Sequence, residues 1–219
     1  MVEVIALRIF CGILLTSVAL AEPDGIHEWE AELHKVVKWE PLKILEANSR
    51  YGELELLENG WLKARRALSA SEQYTITATT ELRGVTAFRV EVLPGERSGS
   101  AVLSEFQVEG AQRVLKVAAV SADFAQPRFA VDGNAKTGWK LDSKEHAAVF
   151  ELAMPASGQF MFVLSNENLK RVRITATTAA TPVRELPESI RRTIALEPSE
   201  RSPEQRKELD EYFRSTPKR

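Results

Sequence analysis

Asp132, Asn134 and Thr137 put three oxygen-bearing side chains into one short loop, around Gly133 and just ahead of Gly138-Trp139. Hard oxygen donors on a tight turn suit calcium, which takes roughly six to eight oxygen ligands and accepts main-chain carbonyls to complete its shell. A plainer reading stands beside that one. Asp132-Gly133 is also a turn dipeptide, because glycine tolerates positive φ and an aspartate oxygen accepts amide hydrogen bonds from the residues that follow. Arg128, Lys136, Lys140 and His146 flank the loop as hydrogen-bond donors, and Trp139 supplies an aromatic ring. An aromatic face covers the apolar C–H face of a sugar ring while polar groups hold its hydroxyls, so Trp139, Arg128 and His146 form the expected ligand-binding set. Trp29, Trp39 and Trp61 are further candidate platforms, and for each of the four a packing role is the competing expectation, Trp139 as a plug at one end of the sandwich.

The same inventory argues against catalysis. Serine chemistry needs a nucleophile, a base and an orienting acid in contact, and the chain offers His27, His34 and His146 with no Gly-x-Ser-x-Gly elbow. His27 and His34 have no third ligand in register, so no zinc site is expected there. The chain is expected to be a binding module, not an enzyme. With 29 basic and 31 acidic residues and a formal net charge of -2, no global field draws it to nucleic acid or to an anionic membrane.

Residues 1–21 read as a signal peptide. Val4 to Ala21 is the most apolar stretch, broken only by Arg8, and its Ala19-Leu20-Ala21 ending fits a small-x-small cleavage site. Glu3 offsets the positive charge expected of such a segment, which keeps an uncleaved N-terminal anchor as the alternative. The only cysteine, Cys11, lies inside it, so a cleaved chain holds no thiol for disulfide, haem attachment or nucleophilic chemistry. An exported protein, periplasmic or extracellular, is the expectation.

A lead-in over 22–38 precedes the elements that must position the loop. Tyr74, Ile76 and Ala78 alternate with threonines, and Phe88, Val90 and Val92 alternate with Arg89 and Glu91. Val102, Ser104, Phe106 and Val108 alternate with Glu105, Gln107 and Glu109, and Val172, Ile174 and Ala176 with Arg171, Arg173 and Thr175. A period of two means one buried face, hence antiparallel strands half open to water. Ala147 to Leu152 and Phe160 to Leu164 are nearly continuous apolar runs, which predicts strands covered on both faces. Turn signals punctuate the series, among them Arg83-Gly84, Pro94-Gly95 and Ser157-Gly158. Residues 39–180 are therefore expected to form an antiparallel jelly-roll β-sandwich.

Residues 181–219 change period. Leu186, Ile190 and Ile194 recur every fourth residue, and Ser202-Pro203-Glu204-Gln205 has the arrangement of a capping box ahead of Leu209, Tyr212 and Phe213. A short helical pair is predicted, docked on the sandwich or offered to a protein partner.

Taken in order, Leu82 to Pro94, Val102 to Phe106, Ser121 to Phe124 and Val131-Asp132-Gly133-Asn134 with Thr137-Gly138-Trp139 resemble one family. It is the discoidin-like, galactose-binding-fold domain of the large planctomycete cytochrome-c-type proteins, and the resemblance runs from about Trp39 to Phe213. It implies a jelly-roll sandwich akin to coagulation-factor type C domains and carbohydrate-binding modules, in exported proteins that handle polysaccharide. It also implies a structural calcium at Asp132, Asn134 and Thr137. The haem-binding motif and extra domains of those larger proteins are missing from this sequence, so their chemistry does not carry over. Carbohydrate or envelope polysaccharide is the expected partner, and a structural role in an envelope-associated protein assembly is the alternative.

Overall fold

The computed structural model describes residues 25–33, 37–65, 71–95 and 100–215. The expected signal peptide with Cys11, and His34, lie outside these residues. In chain order the elements are α1 (Ile26–Leu33), β1 (Glu40–Pro41), β2 (Lys43–Ser49), β3 (Leu54–Leu56), β4 (Leu62–Ala64), β5 (Glu72–Thr79), β6 (Val85–Pro94) and β7 (Ala101–Gly110). They continue as β8 (Arg113–Val114), β9 (Val117–Ala122), β10 (Trp139–Leu141), β11 (His146–Ala156), β12 (Gln159–Glu167), β13 (Leu169–Thr177), α2 (Glu188–Ile194) and α3 (Pro203–Ser215).

The strands build two antiparallel sheets, a jelly-roll sandwich. One sheet runs β3-β4-β13-β6-β11-β9, with β1 also on β13, and the other runs β10-β7-β12-β5-β2, with β8 also on β7. Period-two side chains from both inner faces meet in one core. Phe88 meets Phe160 and Phe162 edge to face at 5.0 Å each, and Phe106 stacks on Phe150 at 4.1 Å. Such pairs add about 0.5–1.5 kcal/mol each beyond the area they bury.

The two outer faces differ. On the β11 sheet, Val183 lies on Ala87 and Val149 with Val37, Trp39 and Ala179 around it, so His146 to Leu152 is buried on both faces. On the β12 sheet Phe160, Phe162 and Leu164 are buried, but Met161 and Val163 between them are only half-buried. The expectation that Phe160 to Leu164 is covered on both faces is therefore corrected. Met161 and Val163 stand in register with Thr77 and Thr75, which are likewise only half-buried.

β7 brings a second correction. Its buried residues are Ala101, Leu103, Phe106, Val108 and Gly110, so Val102 and Ser104 turn outward. Ser165 pairs with Glu105 while Asn166 pairs with Leu103, which leaves Ser104 as the extra residue of a β-bulge.

The tail is helical, and the lead-in joins it. Ser202 Oγ accepts from the Gln205 amide at 3.3 Å while Gln205 Oε1 accepts from the Ser202 amide at 2.8 Å, so α3 starts on a reciprocal cap. Ile26 of α1, Leu186, Ile190 and Ile194 around α2, and Leu209 and Phe213 of α3 form a separate small core, with Trp29 against Phe213 at 5.2 Å. Inside it Arg201 donates to both carboxylate oxygens of Glu30, at 2.8 and 2.9 Å. Arg89 ties this region to the sandwich by donating to Glu185 at 2.7 Å.

Candidate functional site

At one end of the sandwich the chain leaves β9, makes a 3-10 turn over Pro127–Ala130, rounds the Asp132 loop and returns through β10 and a short connection to β11. Trp139 anchors this excursion. Its side chain is fully buried and its Nε1 donates to the Phe124 carbonyl at 2.7 Å. Trp139 thus has no open face for a sugar, so its place as a platform is corrected and the competing expectation, a plug at one end of the sandwich, describes it: a large indole at the mouth of the core is worth more as packing than as a ligand surface. Gly138 makes the approach possible. A Cβ there would lie 2.5 Å from Val102 Cγ1 and 2.9 Å from the Leu103 carbonyl oxygen, so the loop can press on β7 only with glycine at this position.

At this end of the sandwich Phe124 is an exposed aromatic, 38% accessible; Tyr51, between β2 and β3, is exposed as well. The Phe124 ring stacks on His146 with centroids 4.4 Å apart and planes 20° from parallel. His146 is buried and wedged between carboxylates, Nδ1 at 3.3 Å from Asp123 Oδ1 and Nε2 at 2.9 Å from Asp142 Oδ1. His146 therefore backs the aromatic. The His146 contact, then the Lys144 amide, holds the Asp142 carboxyl below its ordinary range. Asp123 is fixed again by the Ala147 amide at 3.1 Å. Arg128 is exposed, bonded to Gln126 Oε1 at 3.1 Å and poised 5.0 Å over the Phe129 ring. Trp61 is buried beneath the Arg173 guanidinium, Trp39 packs on the β11 sheet and Trp29 belongs to the helical core, so their rings are committed to packing.

In the oxygen-rich loop, Asp132 Oδ1 accepts from the Asn134 amide at 2.9 Å, and Thr137 Oγ1 lies 2.9 and 2.8 Å from the two Asp132 oxygens. Thr137 Oγ1 is also 2.8 Å from the Asn134 carbonyl oxygen. The Asn134 side-chain oxygen turns elsewhere and accepts from the Lys136 amide at 3.2 Å. Asp132, Thr137 and the main-chain carbonyl of Asn134 converge, with Gly133 at a φ of 75° allowing the turn.

Glu105 joins them, unforeseen from sequence. Its Oε1 is buried without a hydrogen-bond partner, and burial, then the charge of Asp132, pushes its carboxyl above the ordinary value, against the pull of the Asn134 and Gly133 amides. Two carboxylates and two neutral oxygens in one place fit a hard cation, and the orphaned oxygen is the observation that supports the fit. Among the described residues no three His, Cys, Asp or Glu side chains cluster as a metal site, so neutral oxygens would have to complete any shell.

Beyond this loop a groove of about 500 Å³ runs along β9 between the 125–131 turn and the C-terminal end of α3. Arg128 and Arg184 are its charged lining residues. No helix among the described residues is long and apolar enough to cross a membrane.

No family model matches the chain, and no curated protein does. Among solved structures it is similar to a low-affinity xylan-binding module, CBM86, of the xylanolytic gut symbiont Roseburia intestinalis. Identity is 15% and the TM-score 0.22, with 62% of this chain and 97% of that one covered.

Proposed function

We propose that this chain is an exported, non-catalytic module that binds carbohydrate, such as an envelope or other extracellular polysaccharide, at the Phe124 end of the sandwich. The observation that carries the reading is the Phe124 ring, open on one side and backed on the other by His146. The carboxylates of Asp142 and Asp123 border this stack through their His146 contacts. An aromatic face with acceptors beside it is the chemistry that holds a pyranose, covering its C–H face while the rim takes the hydroxyls. Among the candidate residues, Arg128 supplies a donor close by in the chain, His146 supports the ring, and Trp139 sets the backbone beneath it. The resemblance to discoidin-like domains and the xylan binding of the CBM86 module point to the same ligand class.

Calcium enters the proposal as a structural ion. Asp132, Glu105, Thr137 and the Asn134 carbonyl would hold it, and it would neutralise the carboxylate pair and stiffen the loop that Trp139 closes.

Glycan arrays and insoluble-polysaccharide pull-downs with the wild type and Phe124→Ala test the sugar site. The wild type should bind at least one glycan, and Phe124→Ala should weaken it tenfold or more, about 1.4 kcal/mol, with an unchanged melting midpoint. Retention of full affinity by Phe124→Ala, or no bound glycan at all, would overturn it.

A further inference from the structure

Among the described residues the main strand orders of the two sheets end at β3, β9, β10 and β2, and three of these carry features that discourage another strand. β2 bears Lys43 and Glu46 and is bulged between Ile44 and Glu46. β3 is three residues long with Glu55 paired to Arg65, and β10 is three residues long with Lys140 exposed. Natural edges are protected by such shortness, charge and bulging. β9 differs. Its six residues, Val-Ala-Ala-Val-Ser-Ala, contain no charge and no proline.

The hydrogen-bond pattern shows where this edge points. The Asp123 amide donates to the Ala147 carbonyl and Ser121 pairs with Val149, so the alternation of an antiparallel ladder turns the N–H and C=O of Val120 and Ala122 away from β11. They face the groove, whose floor is β9 itself. Ala118 and Ala125 keep it open, and no carboxylate of the described residues lines it.

We infer that the groove receives an extended peptide segment of a partner protein, added as a further strand on β9, with an acidic side chain reaching Arg128 and Arg184. Main-chain bonds to Val120 and Ala122 would supply affinity, and the two guanidiniums would select the charge. A second copy of this chain is a poorer occupant, because pairing two β9 edges would bring the arginines of both copies together. A glycan is poorer too, since the aromatic on the groove wall, Tyr212, is half-buried and packed 5.9 Å from Trp29.

Selection of a phage-displayed random heptapeptide library on the full chain tests this, followed by fluorescence anisotropy with the enriched peptides and amide exchange read by NMR. Enriched peptides should combine β-branched with acidic residues and slow exchange at Val120 and Ala122. Binding should fall at least tenfold in Arg128→Glu and in Ala118→Lys, a charged edge at an exposed position that leaves the melting midpoint in place; Val120→Pro, which removes an edge N–H, serves as the second edge variant. The inference is overturned if no peptide is enriched, if bound peptides leave the β9 amides unchanged, or if Ala118→Lys binds as well as wild type. Slowing of those amides by polygalacturonate instead, or by concentration-dependent dimerisation, would assign the edge to a sugar or to a second copy and equally overturn it.

Discussion

Two regions flank the sandwich, and they treat buried charge in opposite ways. In the helical core Glu30 and Arg201 are both buried and meet in a two-bond fork, and Arg201 also donates to the Leu196 carbonyl at 3.1 and 3.2 Å. Its charge is paired throughout. At the loop end, Glu105 faces Asp132 with one oxygen lacking a partner, and an aromatic ring lies open beside buried His146. Desolvating a charge costs several kcal/mol unless partners offset it, and it is at the less compensated of the two sites that the proposed ion would act.

The largest expected effect breaks the paired side. Glu30→Ala leaves Arg201 charged and buried, and removing one partner of such a pair costs about 3–5 kcal/mol. Amide exchange should accelerate across α1 and α3 while the sandwich strands stay protected. Equal loss of protection in β6 and β11 would show instead that the helical core and the sandwich unfold as one unit.

A smaller effect is expected at the hinge of the loop end. Trp139→Phe keeps most of the packing but strands the Phe124 carbonyl, a loss of about 1–3 kcal/mol. Denaturant melts should show the loss, and glycan affinity should drop with it because Phe124 shifts. Full affinity in a destabilised Trp139→Phe protein would separate the anchor from the proposed sugar site.

The smallest effect is of opposite sign. The Glu105 carboxyl is raised from its ordinary value of 4.5 by burial, then by Asp132. A group whose folded pKa is raised contributes stability below its unfolded pKa and loses that contribution as pH rises through the folded value. Chelator-treated wild type should therefore lose stability above pH 4.5, the ordinary glutamate value, and Glu105→Gln should flatten that loss. Millimolar calcium should restore the wild type near neutral pH, since a ligand of the folded state stabilises by RT ln(1 + [L]/Kd), and should not restore Glu105→Gln. If calcium leaves both melts unchanged, Asp132 caps a turn and holds no ion.

Much of this architecture could be read from the chain without coordinates. Alternation along Tyr74 to Thr79 marked a half-buried strand, because a period of two leaves one face to the core whatever the partner strand is. Along Phe88 to Leu93 and Val172 to Ala176 it marked the strands, but their expected opening to water is corrected, since Glu91 and Thr175 on the outer face are buried too. The Ser202 to Gln205 cap was equally plain, since it is made by neighbours in sequence.

What needed tertiary structure depended on partners far apart in the chain. The bulge at Ser104 breaks the period of β7 and re-aims Glu105 toward the Asp132 loop, and only the register with β12 reveals it. Whether an apolar run is covered on both faces depends on what packs over it. Val149 lies under the distant Val183, whereas Met161 and Val163 lie half open on the other sheet. Aromatic roles follow the same logic. The bulky indole of Trp139 was drawn into the core and Phe124 left outside, a choice that rests on the shape of the sandwich mouth and the placing of His146. Sequence period determined the strands and caps here, because those are local; the open aromatic, the unpartnered carboxylate oxygen of Glu105 and the edge of β9, unpaired among the described residues, were decided by which strands lie next to one another.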